Sequence, residues 1–292
     1  MPRAVVDPPS FVPAGRFIEL PGRGTTFIRE APGPVGAPTV VLLHGLGATG
    51  GLNWLWCFEP LSSRYRVIAI DHRGHGHGVR TRRFRLADCA DDVAALADEL
   101  GVSSLTAVGY SMGGPIAQLL WHRHRSLVNG LVLCATSRNF RGNPRESAMF
   151  SLVPFVTAGL RFTPGVARRA VMSRVLDARM PGVPARDWIL DELRSGDPAA
   201  IAEAAGAISR YSSHEWIGDI DVPTAVIVTE QDRLVPPHRQ RKLAESIPGA
   251  RVVPVRGDHG VCVADPRAFV PALTNALSIA AASNVERRRQ FL

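Results

Sequence analysis

Six short apolar runs, rich in β-branched residues, set the strongest limit on how this chain can fold. They are "PTVVLLHG" (38–45), "YRVIAID" (65–71), "SLTAVGYS" (104–111), "LVNGLVLCA" (127–135), "PTAVIVTEQD" (223–232) and "ARVVPVRGDHG" (250–260). Each is short for a buried helix. Each is apolar almost throughout rather than at alternate positions, as strands covered on both faces require. Helical spacing fills the intervals. "RLADCADDVAALADELG" (85–101) closes on a glycine, and residues 112–125 end in "HRHR", where cations meet the negative helix end. "RFIEL" (16–20) and "TTFIRE" (25–30), joined by "PGRG", read as an opening hairpin. Strands alternating with helices predict an α/β fold: a mostly parallel, eight-stranded-type sheet flanked by helices.

The alternation fails between Ser137 and Asp219. That stretch has prolines, glycines and helical patches such as "PAAIAEAAGAISRY" (198–211), but no convincing strand. The expected organisation is therefore a core of residues 1–136 and 220–292 with a helical cap inserted at 137–219.

Composition excludes several classes. A chain of 292 residues, 46% apolar and 21% charged, has the make-up of an ordinary globular enzyme. Its net charge of +8 is nearly all arginine, Lys242 being the single lysine, and is scattered apart from "RTRRFR" (80–85) and "ERRRQ" (286–290). A nucleic-acid binder gathers its basic residues on one element among aromatics, so no nucleic-acid partner is expected. Cys57, Cys89, Cys134 and Cys262 lie far apart without metal-ligand spacing, and read as buried hydrophobes or free thiols of a reducing compartment. The N-terminus lacks the apolar region of a signal peptide, and no stretch reaches the roughly 18 apolar residues of a spanning helix. A cytoplasmic protein is expected.

"GYSMGG" (109–114) raises the question of chemistry. Gly109-x-Ser111-x-Gly113, after one strand and before a helix, matches a nucleophile elbow, in which a tight turn crowds the flanking positions and favours glycine. A serine hydroxyl needs a base to take its proton, and the base needs an orienting acid. Asp232 and His259 each follow a predicted strand, in the order serine, acid, histidine. Both fall at strand C-terminal ends, where open α/β sheets bind ligands. Backbone N–H groups of Leu46, in "LLHGLG" (42–47), and of Met112 are the candidate oxyanion donors.

These motifs, together with "DHRGHG" after the second long strand, resemble the α/β-hydrolase fold family of capped esterases, lipases and C–C hydrolases, over about residues 16 to 282. The resemblance implies Ser111 as nucleophile, His259 as base, Asp232 as acid, and Leu46 and Met112 as oxyanion donors, with no metal, nucleotide or flavin cofactor. The family loop often runs D-x-R-G-x-G-x-S. Here Gly78 holds the last place, and a looser loop is expected.

Other readings compete. Asp219, Asp221 and Asp258 lie near enough in sequence to rival Asp232, although Asp258 directly precedes the base and would point away from it. Asp71, His72, His75 and His77 have side chains suited to zinc, which would make the protein a metal-dependent hydrolase. The fold can also serve as a non-catalytic ligand receptor. For the substrate pocket, His44, Trp54, Tyr110, Phe140, Phe150 and Phe155 are the candidates. The apolar stretch from Phe140 to Phe162 serves either as the cap's own core or as a lipophilic wall over the site. Flanked by Arg145 and Arg161, it also suits shallow contact with a membrane or lipid surface. The reading that unites these features is a small-molecule esterase favouring lipophilic acyl groups. Thioesterase, C–C hydrolase and perhydrolase chemistry would use the same residues.

Overall fold

The computed structural model describes residues 7–81, 83–140, 174 and 185–290, the last nine (282–290) as backbone alone. The strands are β1 (Gly15–Leu20), β2 (Gly24–Ala31), β3 (Thr39–Leu43), β4 (Arg66–Ile70), β5 (Leu105–Tyr110), β6 (Val128–Cys134), β7 (Thr224–Thr229) and β8 (Arg251–Val255). The helices are α1 (Gly50–Asn53), α2 (Phe58–Ser62), α3 (Leu86–Glu99), α4 (Gly113–Arg123), α5 (Arg186–Ser195), α6 (Pro198–Arg210), α7 (Pro237–Glu245), α8 (Val261–Ala264) and α9 (Pro266–Gln290). One eight-stranded sheet has the order β1-β2-β4-β3-β5-β6-β7-β8. Only β2 runs against the others.

The unbroken apolar runs follow from where side chains go. Successive residues of a strand point to opposite faces. On one face Val41, Leu43, Ile68, Leu105, Leu131 and Val226 pack with residues of α3, α4 and α7. On the other, Val40, Leu42, Val67, Val108, Val132 and Ile227 pack with residues of α1, α2 and α9. Both faces are dry, so apolar residues dominate at both alternate positions.

Local signals account for several ends. Past α3, Gly101 adopts φ +63°. The Val102 amide then donates to the Ala97 carbonyl at 2.8 Å and the Gly101 amide to Asp98 at 3.1 Å, a Schellman ending that needs a left-handed residue. At the end of α4, Arg123 and His124 turn to Asp91 of α3 (2.8 and 2.9 Å). Asp197 caps α6 by accepting the Ala199 amide at 2.8 Å, with Pro198 in the first turn.

Between β6 and β7 the described residues form α5, α6 and a short 3₁₀ turn (Ile217–Asp219), with an isolated bridge between Asn139 and Ser212 as their strand-like pairing. Helix α5 packs on α1 and α6 on α3. Phe150, Phe155 and most of the apolar stretch noted above lie outside the described residues. Among the described residues, no helix is long and apolar enough to cross a membrane.

Candidate active site

The C-terminal ends of β3, β5 and β6 lie side by side, with Leu43 opposite Gly109 and Gly109 opposite Leu133. Ser111 follows β5 on a sharp turn and sits at φ +53°, a left-handed conformation that costs a non-glycine residue of order 1 kcal/mol and clusters at functional sites. Its amide donates to the Cys134 carbonyl at 2.9 Å, and Thr136 Oγ1 donates to its carbonyl at 2.8 Å. The flanking glycines are steric requirements. A Cβ at Gly109 would fall 2.2 Å from the Gly113 carbonyl oxygen, and one at Gly113 would fall 2.1 Å from that of Leu43.

His259, between β8 and α8, has Nε2 3.0 Å from Ser111 Oγ and Nδ1 2.7 Å from Asp232 Oδ2. Its carbonyl accepts the Tyr110 hydroxyl at 3.0 Å, so the strand that ends at the serine also holds the histidine backbone. Asp232 is 4% exposed. Its Oδ1 accepts the amides of Leu234 (2.8 Å) and Val235 (2.9 Å), and its Oδ2 accepts Thr229 Oγ1 (2.8 Å). Gln240 on α7 supports this cluster, donating to Thr229 Oγ1 at 2.8 Å and to Asp232 Oδ2 at 3.3 Å. Two of the three rival acids are engaged elsewhere. Asp221 accepts the Trp121 indole N–H at 3.3 Å, and Asp258 accepts the Gly260 amide at 2.8 Å.

The turn after β3 brings Leu46 to the serine. The Gly45 amide donates to Asn53 Oδ1 at 2.9 Å, which ties the turn to α1. Among the described residues, neither the Leu46 nor the Met112 amide donates a hydrogen bond.

Tyr110, Leu46 and Ser111 line an apolar cavity of about 350 Å³. Leu52, Ile189, Leu193, Leu234, Cys262 and Val263 complete much of its wall. A second cavity of about 850 Å³, with polar side chains in its wall, is lined by Gln231, Arg233, Leu234, Asp258, His259 and Gly260, so His259 faces both.

Three expected pocket residues belong elsewhere. Trp54 is fully buried beneath Tyr110 and against Phe269. Phe140 is buried in the core on the opposite face of the sheet. His44 is buried too: its Nε2 accepts the His72 amide at 2.9 Å, which leaves the proton on Nδ1 to donate to the Gly45 carbonyl at 2.8 Å. Burial first, then the neighbouring His72 and His75, hold its pKa well below the usual range. His44 is thus a neutral brace under the turn.

The histidine-rich loop is likewise built as a brace. Asp71 accepts the amides of Gly50 (2.8 Å) and His77 (2.9 Å), one on each oxygen. Burial pushes its carboxyl up to about 7, with Glu192 adding to the rise. Burial drives His72 down to about 3 and His75 to about 4, with His75 adding to the fall of His72. Among the described residues, no three His, Cys, Asp or Glu side chains converge as a metal-ligand set. The looser loop expected at Gly78 is not found. A Cβ there would lie 2.3 Å from the His72 carbonyl oxygen, so glycine lets the loop close tightly.

Several residues of the site escape sequence reasoning. Thr229 and Gln240 look like any strand end and helix residue. Ile189 and Leu193 carry a faint signal, their i, i+4 spacing on one helix face.

Comparison with known proteins agrees with this architecture. The family model described as alpha/beta hydrolase fold matches residues 38–266. The chain is 31% identical to the pimeloyl-[acyl-carrier protein] methyl ester esterase of Chromobacterium violaceum, over 82% of this chain and 94% of that protein. It is 28% identical to the putative carbamate hydrolase RutD of a Caulobacter species, over 82% and 90%. Among solved structures, it is similar to the enol-lactonase from Burkholderia xenovorans LB400, with TM-score 0.74 and 26% identity over 90% of this chain and all of that one. A hydrolase from Pseudomonas aeruginosa PA01 superposes with TM-score 0.76 at 25% identity, over 90% and 98%. The chain belongs to the α/β hydrolase fold family. The relatives just described are hydrolases by name.

Proposed function

We propose that this protein is a serine hydrolase that cleaves carboxylic esters through an acyl-enzyme. The observation that carries the reading is the hydrogen-bonded line from Ser111 through His259 to the buried Asp232. His259 Nε2 takes the serine proton as Oγ attacks the ester carbonyl. Asp232 holds Nδ1 protonated and stabilises the imidazolium that forms. The Leu46 and Met112 amides receive the oxyanion, where one donor is worth about 2.7–4 kcal/mol of transition-state stabilisation. His259 then returns its proton to the leaving alcohol and activates the water that releases the acid. Acyl transfer of this kind needs no metal or organic cofactor.

The apolar cavity takes the acyl group and the second one the alcohol side. At roughly 30 Å³ for each water-sized group, a cavity of about 350 Å³ holds an acyl chain of medium length, which supports a lipophilic ester as substrate. Helices α5 and α6 belong, in this reading, to a cap of residues 137–219 on a core of residues 1–136 and 220–292, since Ile189 and Leu193 roof the acyl cavity.

The test is hydrolysis of p-nitrophenyl esters from acetate to palmitate, by wild type and Ser111→Ala, with and without a chelator. The reading expects a medium-chain optimum, lost in Ser111→Ala and indifferent to chelation. Chelator-sensitive turnover that survives in Ser111→Ala would replace the serine with the histidine-rich loop.

A further inference from the structure

Glu192 is a charged side chain that the acyl-transfer steps do not use, yet it is only 6% exposed. It extends from α5, in the segment between β6 and β7, into the core. Its Oε1 meets Arg29 Nη2 at 3.0 Å, and Arg29 is itself 2% exposed. The guanidinium lies about 5.3 Å from the ring centre of Phe27 and 5.4 Å from that of Trp188, and its other arm donates to the Pro13 carbonyl at 2.9 Å. Glu192 Oε2 accepts a hydrogen bond from the Thr49 hydroxyl.

Thr49 makes that bond consequential. It is the residue that starts α1, and its Oγ1 also accepts the Leu52 amide at 3.1 Å. With its one proton committed to Glu192, the hydroxyl oxygen is oriented to receive Leu52. From the other side, Asp71 accepts the Gly50 amide. The last residue of α1, Asn53, accepts the Gly45 amide, and Gly45 precedes Leu46. Gly51 lets the parts close up, since a Cβ there would fall 2.6 Å from Arg29 Nε. A continuous chain of contacts therefore runs from Glu192 through Thr49, α1 and Asn53 to the Gly45 N–H, one peptide before the Leu46 N–H. The same helix α5 supplies Ile189 and Leu193 to the cavity wall.

We propose that Glu192 is a positioning residue: through Thr49 it sets the turn that presents the Leu46 amide to the reacting carbonyl, and so ties the oxyanion site to the docking of α5. The inference rests on the esterase reading above and adds a residue that the Ser–His–Asp set does not contain. An amide held by the scaffold loses much of its effect when displaced by a fraction of an ångström, because its stabilisation depends on pre-set geometry. The position of α5 thus decides whether the oxyanion site is complete.

The experiment compares Thr49→Val, Thr49→Ser, Glu192→Ala and Glu192→Gln with wild type and Ser111→Ala. Steady-state hydrolysis of p-nitrophenyl hexanoate is normalised to serine titrated by a fluorophosphonate, so that misfolded enzyme does not count, and for Ser111→Ala to the concentration of folded protein. Thr49→Val removes the hydroxyl without changing the shape, and is expected to lower kcat about 10- to 100-fold while KM moves less than about threefold. Thr49→Ser keeps the hydroxyl and returns kcat to within about threefold of wild type. Glu192→Gln keeps an acceptor for Thr49 and falls between, whereas Glu192→Ala resembles Thr49→Val. The fluorophosphonate labelling rate of Ser111 should fall in the same order. If kcat per titrated serine is unchanged in Thr49→Val, or if KM rises alone, the proposal is overturned while the esterase reading stands. If Ser111→Ala hydrolyses the ester as wild type does, the esterase reading fails and takes this inference with it.

Discussion

Asp232→Asn is the perturbation whose outcome the geometry constrains most tightly. Asp232 Oδ1 faces two amide donors, from Leu234 and Val235, which cannot reverse direction. An asparagine at this position must therefore put its carbonyl oxygen there and turn its NH₂ toward the Oδ2 position. That position faces Thr229 Oγ1, which can rotate to accept, and His259 Nδ1, which cannot remain protonated against a donor. The imidazole is driven to the other tautomer, with the proton on Nε2 facing Ser111 Oγ and no lone pair left to receive the serine proton. Wrong-tautomer substitutions of this kind lower kcat about 10⁴-fold, equivalent to about 5.4 kcal/mol at 1.36 kcal/mol per tenfold. The assay is p-nitrophenyl hexanoate turnover, again per folded molecule, with thermal melting as the control. KM should stay near the wild-type value, since neither cavity wall changes, and the melting temperature should fall by no more than about 5 °C. A kcat within tenfold of wild type would refute the argument. It would mean that Asp232 does not set the tautomer of His259.

The same geometry sets three further outcomes. Ile189→Trp fills the acyl cavity from α5 and should shift the chain-length optimum toward acetyl and butyryl esters, lowering kcat/KM for octanoyl by at least tenfold while short esters change little; this is read from the same ester series. Gly113→Ala sets a Cβ 2.1 Å from the Leu43 carbonyl. It should destabilise the fold by about 3 kcal/mol or more in urea unfolding, because backbone on both sides must shift. Stability should also fall as pH is lowered from about 6.5 toward 4. Buried His44, His72 and His75 have depressed pKa values, so the unfolded chain takes up protons that the folded one refuses, and stability present above the unfolded pKa is lost on acidification. Asp71, pushed up to about 7, works in the opposite sense between about pH 4 and 7. The three histidines outweigh it, at about 1.4 kcal/mol per net proton and pH unit. Melting curves across this range check the sign, and a stability that rises on acidification would contradict it.

The strands and the Ser111, Asp232 and His259 set were legible in the sequence for physical reasons. A strand buried on both faces favours apolar residues at both alternate positions, so Val40 and Val41 are both apolar although they enter different cores. These three hydrogen-bonded side chains follow strand ends, and their order and spacing can be read along the chain. What was not legible depends on which face a side chain joins. Trp54 and Phe140 are apolar residues near the site in sequence, but one is packed below the sheet's active end and the other lies on the far face. The cavity wall comes instead from Ile189, Leu193 and Val263, brought in by packing between distant segments. The Glu192 contacts to Arg29 and Thr49 span 163 and 143 positions, and no local pattern announces an ion pair of that separation. Gly78 was misread because the steric demand comes from carbonyls six and seven residues earlier, a closeness only the folded loop creates.

The central claim is that Ser111 is the nucleophile, activated through His259. It is tested most directly by treating the protein with a fluorophosphonate and locating the adduct by peptide mass spectrometry, in wild type, Ser111→Ala and His259→Ala. The account predicts one adduct, on Ser111, absent in Ser111→Ala and formed far more slowly in His259→Ala. A fast adduct on another residue, or ester turnover that continues undiminished once Ser111 is fully labelled, would contradict it.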